Sequence, residues 1–157
     1  MKTYNILSIQ EFKTIVGDNS RLLGIDPGKT NVGIAICDEN KKVATPIKVI
    51  KKKKLVSLVD EINKIINDNH IKGIVIGNPI NMDGSVGKSS KSALEFAKNL
   101  SKNIRIPIVL WDERLSSVGA FKITSFLGDN VTNRVKNLDK NAAAFILQGA
   151  IDYLNIN

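Results

Sequence analysis

The sequence is poor in the residues that form disulfides and thiol-based metal sites. Among 157 residues there is one cysteine, Cys37, and one histidine, His70. This excludes an intrachain disulfide and any zinc site built on several cysteines or histidines. A single thiol is typical of a reducing compartment, so we expect a cytoplasmic protein. No apolar run reaches the ~18 residues that would span a membrane, and the N-terminus lacks an apolar stretch of signal-peptide length.

Acidic residues are outnumbered by basic ones, 15 to 23, which gives a net charge of +8. Such an excess favours a polyanionic partner, for which nucleic acid is the first expectation. Nineteen of the basic residues are lysine, and lysine, asparagine and isoleucine are all abundant. Translation of an AT-rich genome gives the same bias, so charge alone does not decide for nucleic acid.

The length predicts one domain with a small N-terminal extension. We place the extension at 1–20 and the domain at 21–157. Within the extension, Ser8 and Glu11 have the spacing of a capping box, and Gly17 is a typical helix stop. One short helix is therefore expected there.

Hydrophobic periodicity alternates between strand-like and helical segments along the domain. The predicted strands cover 22–26, 32–37, 43–50, 74–76 and 106–111, and the predicted helices cover 55–69, 93–100, part of 117–127 and 142–154. Short turns join the first three strands, which indicates an antiparallel meander. Right-handed crossovers then make the first, fourth and fifth strands parallel. The result is an α/β fold with a five-stranded mixed sheet, order 3-2-1-4-5, strand 2 antiparallel and helices on both faces. This order is that of the ribonuclease H-like architecture.

Acidic residues follow the predicted parallel strands at the edge where such sheets bind ligands. Asp26 ends the first strand, Asp112 and Glu113 end the fifth, and Asp139 opens the last helix. Each has an ordinary alternative role in a turn, a helix-entry ion pair or a helix cap. Brought together, their carboxylates would repel one another unless a divalent cation neutralised them. Oxygen ligands of this kind select Mg²⁺ or Mn²⁺. Such ions can activate a water molecule that hydrolyses a phosphodiester.

Four motifs, in order, resemble those of the YqgF/RuvX family. They are LGIDPG at 23–28 with VGIA at 32–35, VIGNPINMDGS at 75–85, DERLS at 112–116, and Asp139 followed by AA at 142–143 and ILQ at 146–148. The resemblance runs from about residue 22 to 154. It implies a ribonuclease H-like nuclease that matures the 5′ end of pre-16S ribosomal RNA, although some members are called Holliday-junction resolvases.

The resemblance also implies the site residues. The catalytic residues fall on Asp26, Glu113 and Asp139, and the metal ligands are drawn from Asp26, Asp112, Glu113 and Asp139. Glu113 is favoured over Asp112, but neighbouring residues on a strand point to opposite faces and either one fits the motif. Many members carry arginine where this chain has Asn31, and Ala142 stands where a further acid would be one helical turn after Asp139.

Candidate nucleic-acid contacts surround these acids. The residues expected to hold the substrate backbone are Lys29, Asn81, Lys88, Arg114, Arg134, Lys136 and Lys140. Their phosphate contacts would add salt dependence but no sequence specificity. The run Lys51 to Lys54 is taken as a solvated turn.

Several functions remain open at this point. A nuclease acting on pre-rRNA, within ribosomal precursor particles, is preferred over a resolvase acting on branched DNA, which would need a symmetric dimer. We expect a monomer or weak homodimer. The turn after Asp26 also resembles the phosphate-binding turn of the actin and sugar-kinase superfamily. Those proteins close two domains over ATP, whereas the length of this chain predicts one domain. A non-catalytic RNA-binding module in ribosome assembly is the remaining alternative.

Overall fold

The computed structural model describes residues 5–80, 83–115 and 138–156, with the backbone alone described at 115 and 138–140. In these ranges one mixed sheet is flanked by four α-helices. The strands are β1 (Ile6–Leu7), β2 (Arg21–Pro27), β3 (Asn31–Cys37), β4 (Ala44–Lys51), β5 (Ile71–Asn78) and β6 (Ile108–Asp112). The helices are α1 (Ile9–Val16), α2 (Leu55–Asn69), α3 (Lys88–Ser101) and α4 (Leu138–Ile156), and a 3₁₀ turn covers Glu113–Leu115.

The sheet order is β1-β6-β5-β2-β3-β4. β2 pairs antiparallel with β3 and parallel with β5, β3 pairs antiparallel with β4, and β6 runs parallel to β5. The predicted order and the antiparallel second strand are therefore confirmed. The predicted strand count of five is wrong, because the described residues form six strands. The additional strand, β1, has only two residues, which is too short for an alternating pattern to show in the sequence.

Residues of the N-terminal extension are part of the sheet and its core. β1 pairs parallel with β6, and the side-chain amide of Asn5 donates to the carbonyls of Ile104, at 2.8 Å, and Ile106. The predicted capping box of Ser8 and Glu11 is present, and α1 ends at Gly17 as expected. Burial of Phe12 on the sheet explains why this short helix is stable here.

The two faces of the sheet carry separate cores. On β2, Leu23 and Ile25 belong to the core under α2 and α3, whereas Leu22 belongs to the core under α4. Successive side chains of a strand point to opposite faces. Asp26 therefore lies on the α4 face, in line with Leu22 and Gly24.

Helix α4 lies close against the sheet at Gly24. A Cβ on Gly24 would lie 2.7 Å from the Cβ of Leu147 and 3.0 Å from the carbonyl oxygen of Ala143. Further along the helix, Gln148 bonds the backbone of Ala44 and Lys42 at the opposite end of the sheet. The helix thus begins over the carboxyl ends of the parallel strands. It begins at Leu138, four residues before the predicted start at 142.

Three further residues are located by the fold. Trp111 and Cys37 are buried in the core under α4, 3% and 2% exposed. His70 ends α2 in the left-handed conformation, with φ 54° and ψ 47°. The predicted helix within 117–127 lies outside the described residues. Of the helices described, none has the length and apolar character needed to cross a membrane.

The contact at Gly24 predicts a sensitive position. Gly24→Ala would force α4 away from the sheet, because the added methyl meets a Cβ and a backbone carbonyl that cannot rotate away. We expect a loss of about 1–3 kcal/mol in the free energy of unfolding, measured by urea denaturation. Unchanged stability would show that α4 is not packed as described.

Candidate functional site

Asp26 stands near the carboxyl end of the central strand, half-buried, at the point where the chain turns away from the sheet. The backbone N–H of Gly28 donates to the Asp26 carbonyl at 3.0 Å, which closes a tight turn immediately after the acid. On one side Asp26 is in register with Gly33 of β3, and on the other the preceding residue, Ile25, is in register with Ile76 of β5. The backbone position of Asp26 is therefore set by pairing at and just before the acid.

Glu113 reaches Asp26 across the end of β5. Glu113 directly follows β6, which lies two strands from β2 in the sheet. Its carboxylate oxygen Oε2 lies 2.7 Å from the position that a Cβ on Gly77 would occupy. The same position is 2.5 Å from Cδ1 of Ile146 on α4. Glu113 therefore lies on the α4 face of the sheet, in space that Gly77 leaves open, and on the same face as Asp26.

Asp112 is on the opposite face and has a different partner. Alternation along β6 places it with Ile108 and Leu110, which face α2 and α3. Its carboxylate accepts from the Arg114 guanidinium at 2.7 Å (Nη2 to Oδ2) and 3.0 Å (Nε to Oδ1), and from the Arg114 backbone N–H at 3.0 Å. These hydrogen bonds hold the pKa of Asp112 below its usual value. The geometry thus separates two acids that are adjacent in sequence.

The electrostatics single out Glu113. Burial first, and then the negative charges of Asp26 and Asp112, together raise the pKa of Glu113 to about 7. Ionising Glu113 beside Asp26 is therefore costly in the protein alone. A divalent cation would remove this cost, and the donors are carboxylate oxygens, which Mg²⁺ and Mn²⁺ prefer. The residues present fit such an ion.

Asp139 lies in the first turn of α4, one turn before Ala143, and Ala143 packs over Gly24. Its backbone is thus at the same edge and face as Asp26 and Glu113, while its side chain is outside the described residues. Among the side chains described, no group of three or more acids, histidines or cysteines is close enough to hold a metal ion. The structure brings together two of the three predicted catalytic acids.

Three of the seven predicted nucleic-acid contacts have described side chains, and these three lie near the same edge. Lys29 is exposed in the turn after β2, Lys88 is exposed at the first residue of α3, and Arg114 pairs with Asp112. Nη1 of Arg114 also lies 3.6 Å from the position that a Cβ on Gly84 would occupy, so the loop after β5 runs beside this arginine. The remaining four, Asn81, Arg134, Lys136 and Lys140, fall where side chains are not described.

Two contacts that position the site were not expected from sequence. In the sequence Gly77 is only part of a motif, yet in the fold it makes room for the Glu113 carboxylate. Asn78, the last residue of β5, accepts a hydrogen bond from the buried Ser90 hydroxyl at 2.6 Å, which ties the start of α3 to this strand end. Residues distant in sequence form both contacts, and the only signal for Gly77 was a glycine at a strand end.

The sheet order and the helices on both faces place this chain in the class of proteins with a ribonuclease H-like fold. The structure resembles Thermus thermophilus RuvC, solved in complex with a Holliday junction, with a TM-score of 0.59 and 12% identity over 88% of this chain and 96% of that one. The sequence model described as "RuvX: Holliday junction resolvase" matches residues 20–153. The chain belongs to the RuvX family.

Curated relatives agree over nearly the whole length. A protein of Pelagibacter ubique is 52% identical over 150 residues, covering 96% of this chain and 99% of the relative. One of Ruegeria pomeroyi is 40% identical over 147 residues, covering 94% and 96%. Both are named "Putative pre-16S rRNA nuclease".

The raised pKa of Glu113 predicts a pH-dependent gain in stability for Glu113→Gln. Since the folded pKa is about 7 and the ordinary value is 4.5, ionised Glu113 destabilises the fold progressively as pH rises through this range, and fully above it. In EDTA at pH 8, Glu113→Gln should be more stable than wild type by about 1–2 kcal/mol, allowing for partial solvent screening. At pH 4 the difference should vanish, because both side chains are neutral. Urea denaturation at the two pH values measures this, and a destabilised variant at pH 8 would contradict it.

The close approach of the Glu113 carboxylate to Gly77 predicts that a methyl group added at Gly77 would displace the Glu113 side chain. Gly77→Ala meets two side-chain ends, which can move, so the loss in unfolding free energy should be small, about 1 kcal/mol. The pKa of Glu113, followed by NMR titration of its side chain, should move towards its ordinary value as the carboxylate leaves Asp26 and gains solvent. An unchanged titration would show that Gly77 does not position Glu113.

Proposed function

We propose that this protein is a metal-dependent endonuclease that hydrolyses phosphodiester bonds in precursor ribosomal RNA. The observation that carries the proposal is the placement of Asp26 and Glu113 on one face of the sheet, close enough for the charge of Asp26 to raise the pKa of Glu113. The oxygens that these two side chains bring to the site are carboxylate oxygens, the ligands that Mg²⁺ and Mn²⁺ prefer.

Asp26, Glu113 and Asp139 are the proposed ligands of Mg²⁺ or Mn²⁺. When bound, such a cation supplies Lewis-acid stabilisation of the leaving oxygen and activates water for attack on phosphorus. The chain's own residues prepare this site. Asp26 presents its carboxylate from β2 and Glu113 from the turn after β6, and Arg114 holds the Asp112 carboxylate on the other face of the sheet. The exposed Lys29, in the turn after Asp26, is placed to bind a substrate phosphate.

The substrate is proposed from the relatives. The two reported above are named for pre-16S rRNA, and their similarity extends over 94% or more of this chain. The family description and the RuvC fold concern Holliday junctions instead. Metal-ion chemistry at phosphorus does not distinguish RNA from DNA, so both substrates belong in the assay.

The test compares Asp26→Asn with Asp68→Asn, an exposed acid near the end of α2 that makes the same charge change. Cleavage of precursor 16S RNA in Mg²⁺ or Mn²⁺ should fall by at least about 100-fold in Asp26→Asn, the scale expected for one catalytic electrostatic group, and be unchanged in Asp68→Asn. A second readout does not need activity: either metal should raise the melting temperature of wild type and of Asp68→Asn more than that of Asp26→Asn.

Three outcomes contradict the proposal. Cleavage of a four-way DNA junction but not of RNA would favour the resolvase. Binding of RNA without cleavage in either metal would favour a non-catalytic assembly module. Equal cleavage by wild type and Asp26→Asn would show that the activity comes from another protein.

A further inference from the structure

A groove with lysines along one side lies on the sheet face opposite the acidic pair. Its volume is about 320 Å³, and it runs between the turn at Lys52–Lys54 with the start of α2 on one side and α3 on the other. Phe96 and Leu58 form its floor, and Ser92 and Asn99 of α3 line the far side. This groove is separate from Asp26 and Glu113, which lie on the α4 face.

The charges of the groove are strongly one-sided. Three consecutive lysines, Lys52, Lys53 and Lys54, line it, against one acid, Glu95. Lys52 is held in place, because its Nζ lies 5.4 Å from the centre of the Phe96 ring in a cation–π contact. The lysines are exposed, with their charges directed to solvent or to a ligand rather than into salt bridges within the described structure.

The start of α2 adds to this positive potential. Helix N-termini carry partial positive charge, which acids or capping hydroxyls ordinarily offset. Here the capping position is Lys54, its side chain makes no capping hydrogen bond, and the first turn contains no acid. Three lysines at a helix start oppose the helix dipole, so the arrangement costs stability in the free protein. A bound polyanion would offset that cost.

The lysine turn is attached to the turn that follows Asp26. The backbone N–H of Lys52 donates to the carbonyl of Thr30 at 2.8 Å, and Lys51 is in register with Asn31. β4 lies two strands from β2, about 10 Å at the ordinary strand spacing. The acidic pair, exposed Lys29 and the groove therefore follow one another across the carboxyl edge of the sheet.

We propose that this groove binds the single-stranded flank of the substrate RNA, with the phosphates held by Lys52, Lys53 and Lys54. The proposal rests on the nuclease function proposed above. The strand passes from the acidic pair over the carboxyl edge at Lys29 and descends into the groove on the α2 and α3 face. The contacts are to phosphates, so they strengthen binding without selecting a sequence.

The experiment compares two triple variants with the same change in net charge. The first is Lys52→Gln with Lys53→Gln and Lys54→Gln. The control is Lys64→Gln with Lys72→Gln and Lys102→Gln, which are exposed and lie away from the carboxyl edge. Binding of a fluorescein-labelled single-stranded RNA is measured by anisotropy in EDTA, where no cleavage occurs, at several salt concentrations. Circular dichroism and melting curves verify that both variants are folded.

We expect the groove variant to bind about tenfold more weakly than wild type and its salt dependence to fall by about 2 in slope, the value for three phosphates on a single strand. The control should retain the wild-type slope. Under cleavage conditions the groove variant should show a raised KM and a nearly unchanged kcat, because its lysines do not touch the reacting bond.

Equal losses in the two variants would overturn the proposal, since net charge would then explain the binding. It would also be overturned if the groove variant retained RNA binding but lost binding to phosphatidylserine vesicles, which would assign the patch to a membrane surface. A wild-type protein that binds RNA through these lysines without cleaving it would remove the nuclease function and leave the binding surface supported.

Discussion

The close packing of α4 on two glycines is the contact on which the rest of the site depends. Gly24 and Gly77 lie on neighbouring strands, and each has a residue of α4 where its side chain would be. Because the helix approaches so closely, its first turn lies at the carboxyl edge beside Asp26. The same absence of a side chain at Gly77 leaves room for Glu113 to extend from β6 towards β2. One packing requirement thus sets both the helix position and the acid position.

The site carries an electrostatic cost that the rest of the fold supports. Burial and two nearby negative charges raise the pKa of Glu113 to about 7, so its ionised form is disfavoured in the protein alone. Asp112, at the same edge, is paired with Arg114 on the other face of the sheet. Acids whose pKa values are shifted by burial and by a neighbouring carboxylate are typical of functional sites, and strain of this kind is common where function requires it.

The carboxyl edge of the sheet separates two kinds of surface. The α4 face holds Asp26 and Glu113, and the α2 and α3 face holds the groove with its lysines. A polyanion is repelled by acids without a cation and attracted by lysines. Substrate binding is therefore assigned to the lysines on one side of the edge and the chemistry to the acids on the other side. The turn between β2 and β3 connects the two surfaces. The hydrogen bond between Lys52 and Thr30 makes the relative position of the two surfaces part of the sheet.

The linear order of residues was sufficient for much of this description. Alternating apolar patterns and short turns predicted the mixed sheet and its strand order, because these patterns follow from local geometry. The motifs placed Asp26 and Glu113 at strand ends, and the capping box placed α1. The sequence does not predict strand β1, because two residues are too few to show an alternating apolar pattern. It predicts the start of α4 four residues late, because the first turn of this helix is polar.

Only the tertiary structure shows that Glu113, and not Asp112, shares a face of the sheet with Asp26. Asp112 ends β6 and Glu113 follows it, and a sequence does not tell which of two neighbours faces a given helix. Pairing in the sheet fixed the alternation, Arg114 engaged Asp112 on one face, and Gly77 admitted Glu113 on the other. The lysine groove has the same origin, since it forms only when the turn before α2 packs beside α3. Contacts between residues far apart in the chain are set by packing, which no local pattern records.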